Sequence, residues 1–304
     1  MTTAQSVSAP VFGGVLFNAV PPLPRWYWWL RVIASATLGC AFFYVVLIGY
    51  LWSNESRILY MTRNSRFVSA PDPVIFQAGR LRTADGVTLK RVILKHDASP
   101  DGYWILFCMP AGGSTDLPHL QNQLQRLWSF DYNVLAFDYR GFGQSSGRPT
   151  EDGLYLDATT AYAYLTRELH VPSDRVILAG RSLGSAVALD LATRVQAAGL
   201  VLFSPIDSVP MTAARLYPWA PVRQLVTTSF DNVAKASRVT VPVVLTYGYG
   251  DDLVPKAVAR ALFSEFGGPK QMLETNGGHH FSGFERFSEL FAALDRFWPV
   301  ARKS

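Results

Sequence analysis

The sequence predicts an α/β chain: a mostly parallel sheet covered by helices on both faces, preceded by one membrane-spanning helix. From Arg80 onward, short apolar runs bounded by turn residues alternate with helical patterns, and repeated strand–helix–strand units produce such a sheet. Ahead of them lie 21 uncharged residues, Val32 to Trp52. Composition sets the outer limits. A chain of 304 residues, 49% hydrophobic and 17% charged, can bury a large core and is not disordered. The net charge of +5 is scattered rather than clustered with aromatics, which argues against nucleic-acid binding. Two cysteines, Cys40 and Cys108, allow no disulfide framework and no CxxC metal motif.

The amino-terminal elements are expected as a tail over residues 1–25, a transmembrane helix with aromatic flanks over 26–53, and a tether over 54–79. As a helix the uncharged run reaches about 31 Å, close to the hydrocarbon thickness of a bilayer. Ten of its residues are Val, Ile, Leu or Phe, giving roughly 3 to 6 kcal/mol of insertion free energy before Ser35, Thr37, Gly39 and Gly49 reduce it. Trp26, Tyr27, Trp28 and Trp29 precede the run, with Tyr50 and Trp52 at its far end, where headgroup interfaces favour aromatics. A buried core helix of this length would show a polar face, and this one shows none. The run is also longer than a typical cleaved signal core. Thr37-Leu38-Gly39-Cys40 faintly resembles a lipoprotein processing site, but the apolar stretch continues past Cys40. Arg25 and Arg31 on one side and Arg57, Arg63 and Arg66 on the other leave orientation undecided by charge. A short tail before a first span favours the rest of the chain on the extracytoplasmic side. Arg57, Arg63, Arg66 and Pro71-Asp72-Pro73 give residues 54–79 the character of a linker.

Residues 80–304 are expected as one domain. Asp85-Gly86 marks a hairpin between Arg80–Thr83 and Val87–Lys90. Buried strands are expected at Trp104–Met109, Tyr132–Phe137, Val176–Ala179, Leu200–Phe203, Val241–Tyr247 and Gln271–Thr275. Helices are expected at Leu117–Trp128, Glu151–Leu169, Leu183–Ala197, Ala257–Phe266 and Phe284–Phe297. Pro205, Pro210, Pro218 and Pro221 break this rhythm, so residues 205–240 read as a short helical insertion able to roof a site.

The chemistry concentrates at three strand ends. Gly180-Arg181-Ser182-Leu183-Gly184 lies between a predicted strand and a helix rich in small residues. That context suits a nucleophile elbow, in which Ser182 sits strained at the head of the sheet and flanking glycines avoid clashes. Asp251 follows the strand Val241–Tyr247, and Gly277-Gly278-His279-His280 follows the last strand, so both reach the sheet's carboxyl edge. A serine needs a base to take its proton and a third group to orient that base. The expected catalytic residues are therefore Ser182, Asp251 and His279. His280 is the fallback base. Asp251 and the histidines have bland alternatives, a turn residue for the first and a solvated loop or a metal ligand for the others. Order and placement together favour the triad. The oxyanion hole is expected from the amide of Leu183 and one amide after the strand Trp104–Met109. Pro110 has no N–H, so that second donor is Ala111 or Gly112, with Ala111 preferred by position.

The run Asp138-Tyr139-Arg140-Gly141-Phe142-Gly143-Gln144-Ser145-Ser146-Gly147-Arg148-Pro149, with the elbow and the two later strand ends, resembles the α/β-hydrolase superfamily. More narrowly it resembles a single-pass membrane-anchored branch, the Bem-like and abhydrolase-domain serine hydrolases. The resemblance covers about residues 57–299 and implies an α/β-hydrolase fold with an eight-stranded core and Ser182, Asp251 and His279 as its triad. Where such proteins usually carry His-Gly-Asn or similar, this chain has Met109-Pro110-Ala111. Arg140, just before Gly141, reads as a structural clamp on a neighbouring loop, with direct substrate contact as the alternative.

The expected activity is hydrolysis of carboxylic esters or thioesters through an acyl-enzyme, with an acyl or lipid substrate suggested by the anchor and the apolar insertion. No metal or organic cofactor is implied. The expected partners are a small-molecule ester or lipid and the membrane; no protein partner is indicated. The rival class is a catalytically silent hydrolase fold acting as a membrane-bound interaction module. A third possibility is acyl transfer from the same acyl-enzyme.

Overall fold

The computed structural model describes residues 24–62, 75–96, 102–279 and 286–300. Contacts divide the chain into two units, residues 1–50 and 51–304. The apolar segment forms one helix, α1 (Arg25–Ser53), with no buried residue. Its most apolar window has a mean hydropathy of 2.2, so by length and composition α1 fits a membrane span or a signal sequence. Within the expected tether, Glu55–Tyr60 is a short helix, α2, and its last residue, Tyr60, is 1% exposed.

The second unit is an eight-stranded sheet in the order β1-β2-β4-β3-β5-β6-β7-β8. Its strands are β1 (Gln77–Arg82), β2 (Thr88–Leu94), β3 (Trp104–Cys108), β4 (Asn133–Phe137), β5 (Val176–Arg181), β6 (Gly199–Phe203), β7 (Val243–Gly248) and β8 (Lys270–Thr275). β1 pairs antiparallel with β2 and β2 antiparallel with β4, while every later pairing is parallel. Every residue of β3, β4, β5, β6 and β7 is buried. Their sequences are continuous apolar runs rather than alternating ones because helices cover both faces. The hairpin differs in detail from the turn that Asp85-Gly86 suggests. Gly86 alone has positive φ, at 87°, and Thr83 N–H donates to Val87 O while Gly86 N–H donates to Thr83 O. This is a three-residue loop closed by a left-handed glycine.

The remaining helices are α3 (Pro118–Trp128), α4 (Glu151–Ala163), α5 (Leu183–Ala192), α6 (Val209–Leu216), α7 (Val222–Leu225), α8 (Asn232–Ala236), α9 (Lys256–Glu265) and α10 (Phe287–Phe297). Thr150 caps α4 by accepting Gly153 N–H. The long helix expected to Leu169 leaves α geometry at Ala163 and continues as a π turn over Tyr164–Glu168, closed by Leu169 N–H donating to Tyr164 O. α5 stops five residues early because the chain must turn back into β6: Ala198 N–H donates to Val176 O, and the Trp298 indole donates to Ala198 O. Residues 205–240 hold α6, α7 and α8, with Pro210 in the first turn of α6 and Pro221 just before α7.

Candidate active site

Steric crowding shapes the elbow. Ser182 has φ 52° and ψ −118°, a conformation costing about 1 to 3 kcal/mol for a residue with a side chain. A Cβ on Gly180 would lie 2.1 Å from Gly184 O, and one on Gly184 would lie 2.2 Å from Cys108 O and 2.4 Å from Met109 O. Both glycines are therefore required, and the second presses the elbow against the end of β3. Ser182 N–H donates to Phe203 O, tying the turn to β6.

The three residues predicted from strand ends meet here. Asp251 follows β7, is 4% exposed, and accepts the N–H groups of Leu253 at 3.0 Å and Val254 at 2.8 Å through Oδ1. Burial alone would raise the Asp251 carboxyl pKa. The His279 hydrogen bond and charge, and the Val254 N–H, outweigh it and hold the pKa below its ordinary value. The ionised carboxylate can only accept, so His279 Nδ1–H donates to it, 2.9 Å from Oδ2 and 3.1 Å from Oδ1. That leaves His279 Nε2 as an acceptor, 2.9 Å from Ser182 Oγ. A hydroxyl, a neutral imidazole and a carboxylate in this order can move a proton off the serine and stabilise the resulting cation. The neighbouring thiol is no rival nucleophile, because burial pushes Cys108 up to about 12. His280, the fallback base, lies outside the described residues.

The loop after β3 accounts for its amides one by one. Pro110 has none, Gly112 N–H donates to Tyr60 O at 2.9 Å, and Gly113 N–H donates to Pro110 O at 2.9 Å. Among the described residues no backbone acceptor takes the Ala111 N–H. Leu183 is the first residue of α5, where an N–H has no partner within the helix.

Residues 112–228 match the family model described as serine aminopeptidase, S33. An uncharacterized protein of Mycobacterium tuberculosis is 32% identical over 237 residues, covering 77% of this chain and 83% of that protein. Human alpha/beta hydrolase domain-containing protein 17B is 29% identical over 218 residues, 71% of this chain and 73% of that protein. The Pyrococcus furiosus esterase Pf2001 superposes with a TM-score of 0.65 at 19% identity, over 77% of this chain and 97% of the esterase. The chain belongs to the α/β-hydrolase superfamily. An alpha-beta hydrolase from Vibrio vulnificus shares the fold with a TM-score of 0.63 at 21% identity, over 80% of this chain and 91% of that one.

In this α/β hydrolase the Asp138–Pro149 segment is an internal brace. The Arg140 backbone N–H donates to Asp157 Oδ2 at 2.8 Å, and its Nε and Nη2 donate to Asp157 Oδ1 at 2.9 and 2.8 Å. Its Nη1 reaches Asp85 Oδ2 at 2.7 Å. The guanidinium thus clamps the β1–β2 hairpin to α4. Asp138 holds the far end of the loop after β3, accepting Thr115 N–H at 2.6 Å and Ser114 Oγ–H at 3.0 Å. Lys90 pairs with Asp116 beside it, and Gln144 Nε2 donates to the other Asp116 oxygen at 3.1 Å. Sequence reasoning missed this network and the contact of Tyr60 with the loop. Ile58-Leu59-Tyr60, an apolar step inside a presumed linker, was the signal for the second.

Proposed function

We propose that this chain is a membrane-anchored serine hydrolase that cleaves carboxylic esters or thioesters through an acyl-enzyme. The observation that carries this reading is the continuous hydrogen-bond chain from Ser182 Oγ through His279 to Asp251 at a strained elbow. Ser182 Oγ attacks the acyl carbon as His279 Nε2 takes its proton. The carbonyl oxygen becomes an oxyanion received by the amides of Leu183 and Ala111. His279 then returns the proton to the leaving alcohol or thiol, and the acyl group remains on Ser182. Water, giving its proton to His279, attacks the acyl carbon, and His279 returns that proton to Ser182 Oγ as the acid leaves. Asp251 holds the imidazole tautomer throughout. An acyl or lipid substrate is supported by the apolar helix α1, read as a single membrane span, and by the helical insertion between β6 and β7.

The test is covalent labelling of the membrane fraction with a fluorophosphonate, comparing the wild type with Ser182→Ala, followed by turnover of acyl esters and thioesters. Labelling lost in the variant, with turnover in the wild type, supports the reading. A folded wild type that neither labels nor turns over any ester would instead favour a silent scaffold. A second reading, cleavage of an aminoacyl amide, draws support from the S33 aminopeptidase description of the family model. Aminoacyl anilides turned over faster than acyl esters would favour it.

A further inference from the structure

The short helix α2 touches the loop after β3 and the helical insertion at once. The Tyr60 ring packs edge-to-face on Phe142 and on Phe230, each with centroids 6.4 Å apart. Its carbonyl accepts Gly112 N–H at 2.9 Å, and Met61 in the left-handed region, φ 51°, ends the helix there. At the other end of α2 the Glu55 carboxylate accepts Thr227 N–H at 3.1 Å, Thr228 N–H at 2.9 Å and Thr227 Oγ1–H at 2.8 Å. Glu151, the first residue of α4, takes the next two amides, Ser229 at 2.7 Å and Phe230 at 2.8 Å. Four successive amides of the insertion are therefore held by two carboxylates, one of them on the segment that directly follows α1.

The Tyr60 carbonyl engages the loop at a sensitive point. Gly112 has φ 66°, a conformation in which a glycine peptide can rotate at low cost. Its N–H is the one group that could compete with Ala111 as oxyanion donor, since Pro110 has none and Gly113 is bound to Pro110 O. An oxyanion hole works because its donors are aimed before the charge develops. Fixing the Gly112 peptide from outside the loop aims the Ala111 peptide next to it.

We propose that α2 is a positioning element of the active site, in which Tyr60, braced by Phe142, Phe230 and Glu55, fixes the Gly112 peptide so that Ala111 N–H is the preorganised oxyanion donor. This rests on the reading of Ser182 as the nucleophile. It also makes the segment next to the apolar helix part of the catalytic apparatus rather than a passive link.

The test uses the full chain in detergent, with Tyr60→Ala, Tyr60→Phe and Glu55→Ala, and with active-site concentration set by fluorophosphonate titration. An acyl p-nitrophenyl ester reports turnover. A trifluoromethyl ketone, which adds Ser182 Oγ to its carbonyl and places an oxyanion in the hole, reports donor alignment. Tyr60→Ala is expected to lower kcat by about 10- to 100-fold, less than outright loss of a donor, with KM within about twofold and a parallel loss of ketone affinity. Tyr60→Phe keeps both near wild type because the ring packing and the carbonyl remain. Glu55→Ala, which leaves Tyr60 in place, moves both in the same direction by a smaller factor. Unchanged kcat and ketone affinity in a folded Tyr60→Ala protein overturns the proposal, as does a change confined to KM. If Tyr60→Ala does not fold, Glu55→Ala decides by the same two readouts. Failure of the underlying reading shows separately, as a wild type that neither labels nor hydrolyses the ester.

Discussion

At the scale of single residues, the site stores strain at Ser182 and resolves it through neighbours that cannot move. Gly180 and Gly184 leave no room for side chains, so the serine hydroxyl is held where His279 Nε2 meets it. Replacing His279 with Ala should lower kcat by about 10⁴- to 10⁶-fold, measured on an acyl ester with KM followed separately. Asp251→Asn should cost about 10⁴-fold, because an amide can donate and so permits the wrong imidazole tautomer; turnover near wild type would remove Asp251 from the relay. Asp138 gives a pH signature of a different kind. Burial pushes its carboxyl up to about 6, against the Thr115 N–H, the Lys90 charge and the Ser114 hydroxyl. Between about pH 4 and 6 the folded chain thus keeps a proton that the unfolded chain has released, so this group's contribution to stability falls as pH rises, by up to about 1.4 kcal/mol per unit. Asp138→Asn, which can still accept the Thr115 N–H, should flatten that slope in urea unfolding at pH 4.5 and 6.5. Equal slopes in the two proteins would count against the assignment.

At the scale of elements, the sheet is held to its helices by a few buried polar clamps as well as by apolar contact. Arg140 is the clearest. Its guanidinium and backbone bind Asp157 on α4 and reach the hairpin at Asp85. Burial raises the Asp157 carboxyl pKa even though the Arg140 hydrogen bonds pull it down, which marks a carboxylate that depends on its partner. Arg140→Ala should destabilise the fold by about 3 to 5 kcal/mol, because it strands that carboxylate in the core. The double change Arg140→Met with Asp157→Leu should recover much of the loss, since it removes the stranded charge as well. Urea unfolding of both variants checks this; equal losses in the two would mean that packing around Arg140, not the charge it neutralises, carries the effect. Arg140→Lys is no substitute, as one ammonium cannot serve both acids in the forked geometry seen.

At the scale of the whole molecule, an apolar helix with no buried residue precedes a complete hydrolase sheet. If α1 spans the bilayer, two lysines near its centre should expel it. Phe43→Lys with Leu47→Lys adds roughly 5 to 7 kcal/mol, comparable to the whole favourable insertion free energy of the run. The expected outcome is a shift of the protein from the pellet to the supernatant on alkaline carbonate extraction. A wild type already found in the supernatant would show that α1 does not anchor the chain.

The sequence by itself determined the sheet class and the three strand ends that meet at the site. Fully buried parallel strands must be continuous apolar runs, and an elbow needs glycines at fixed offsets from its serine, so both signals are local and survive without knowledge of the fold. Element ends were less legible. α5 stops where the chain turns back to pair Ala198 N–H with Val176 O, and no window of sequence contains that partner. Only the tertiary structure decided which loop amide stays available. Gly112 and Ala111 are equivalent by composition, and they differ because Tyr60, far away along the chain, folds back and takes one of the two. The same holds for Glu55 and Glu151, whose shared grip on residues 227–230 depends on topology bringing three separate segments together. Periodicity and motif spacing report a residue's own element, whereas a hydrogen bond between segments is fixed by where the chain has been led.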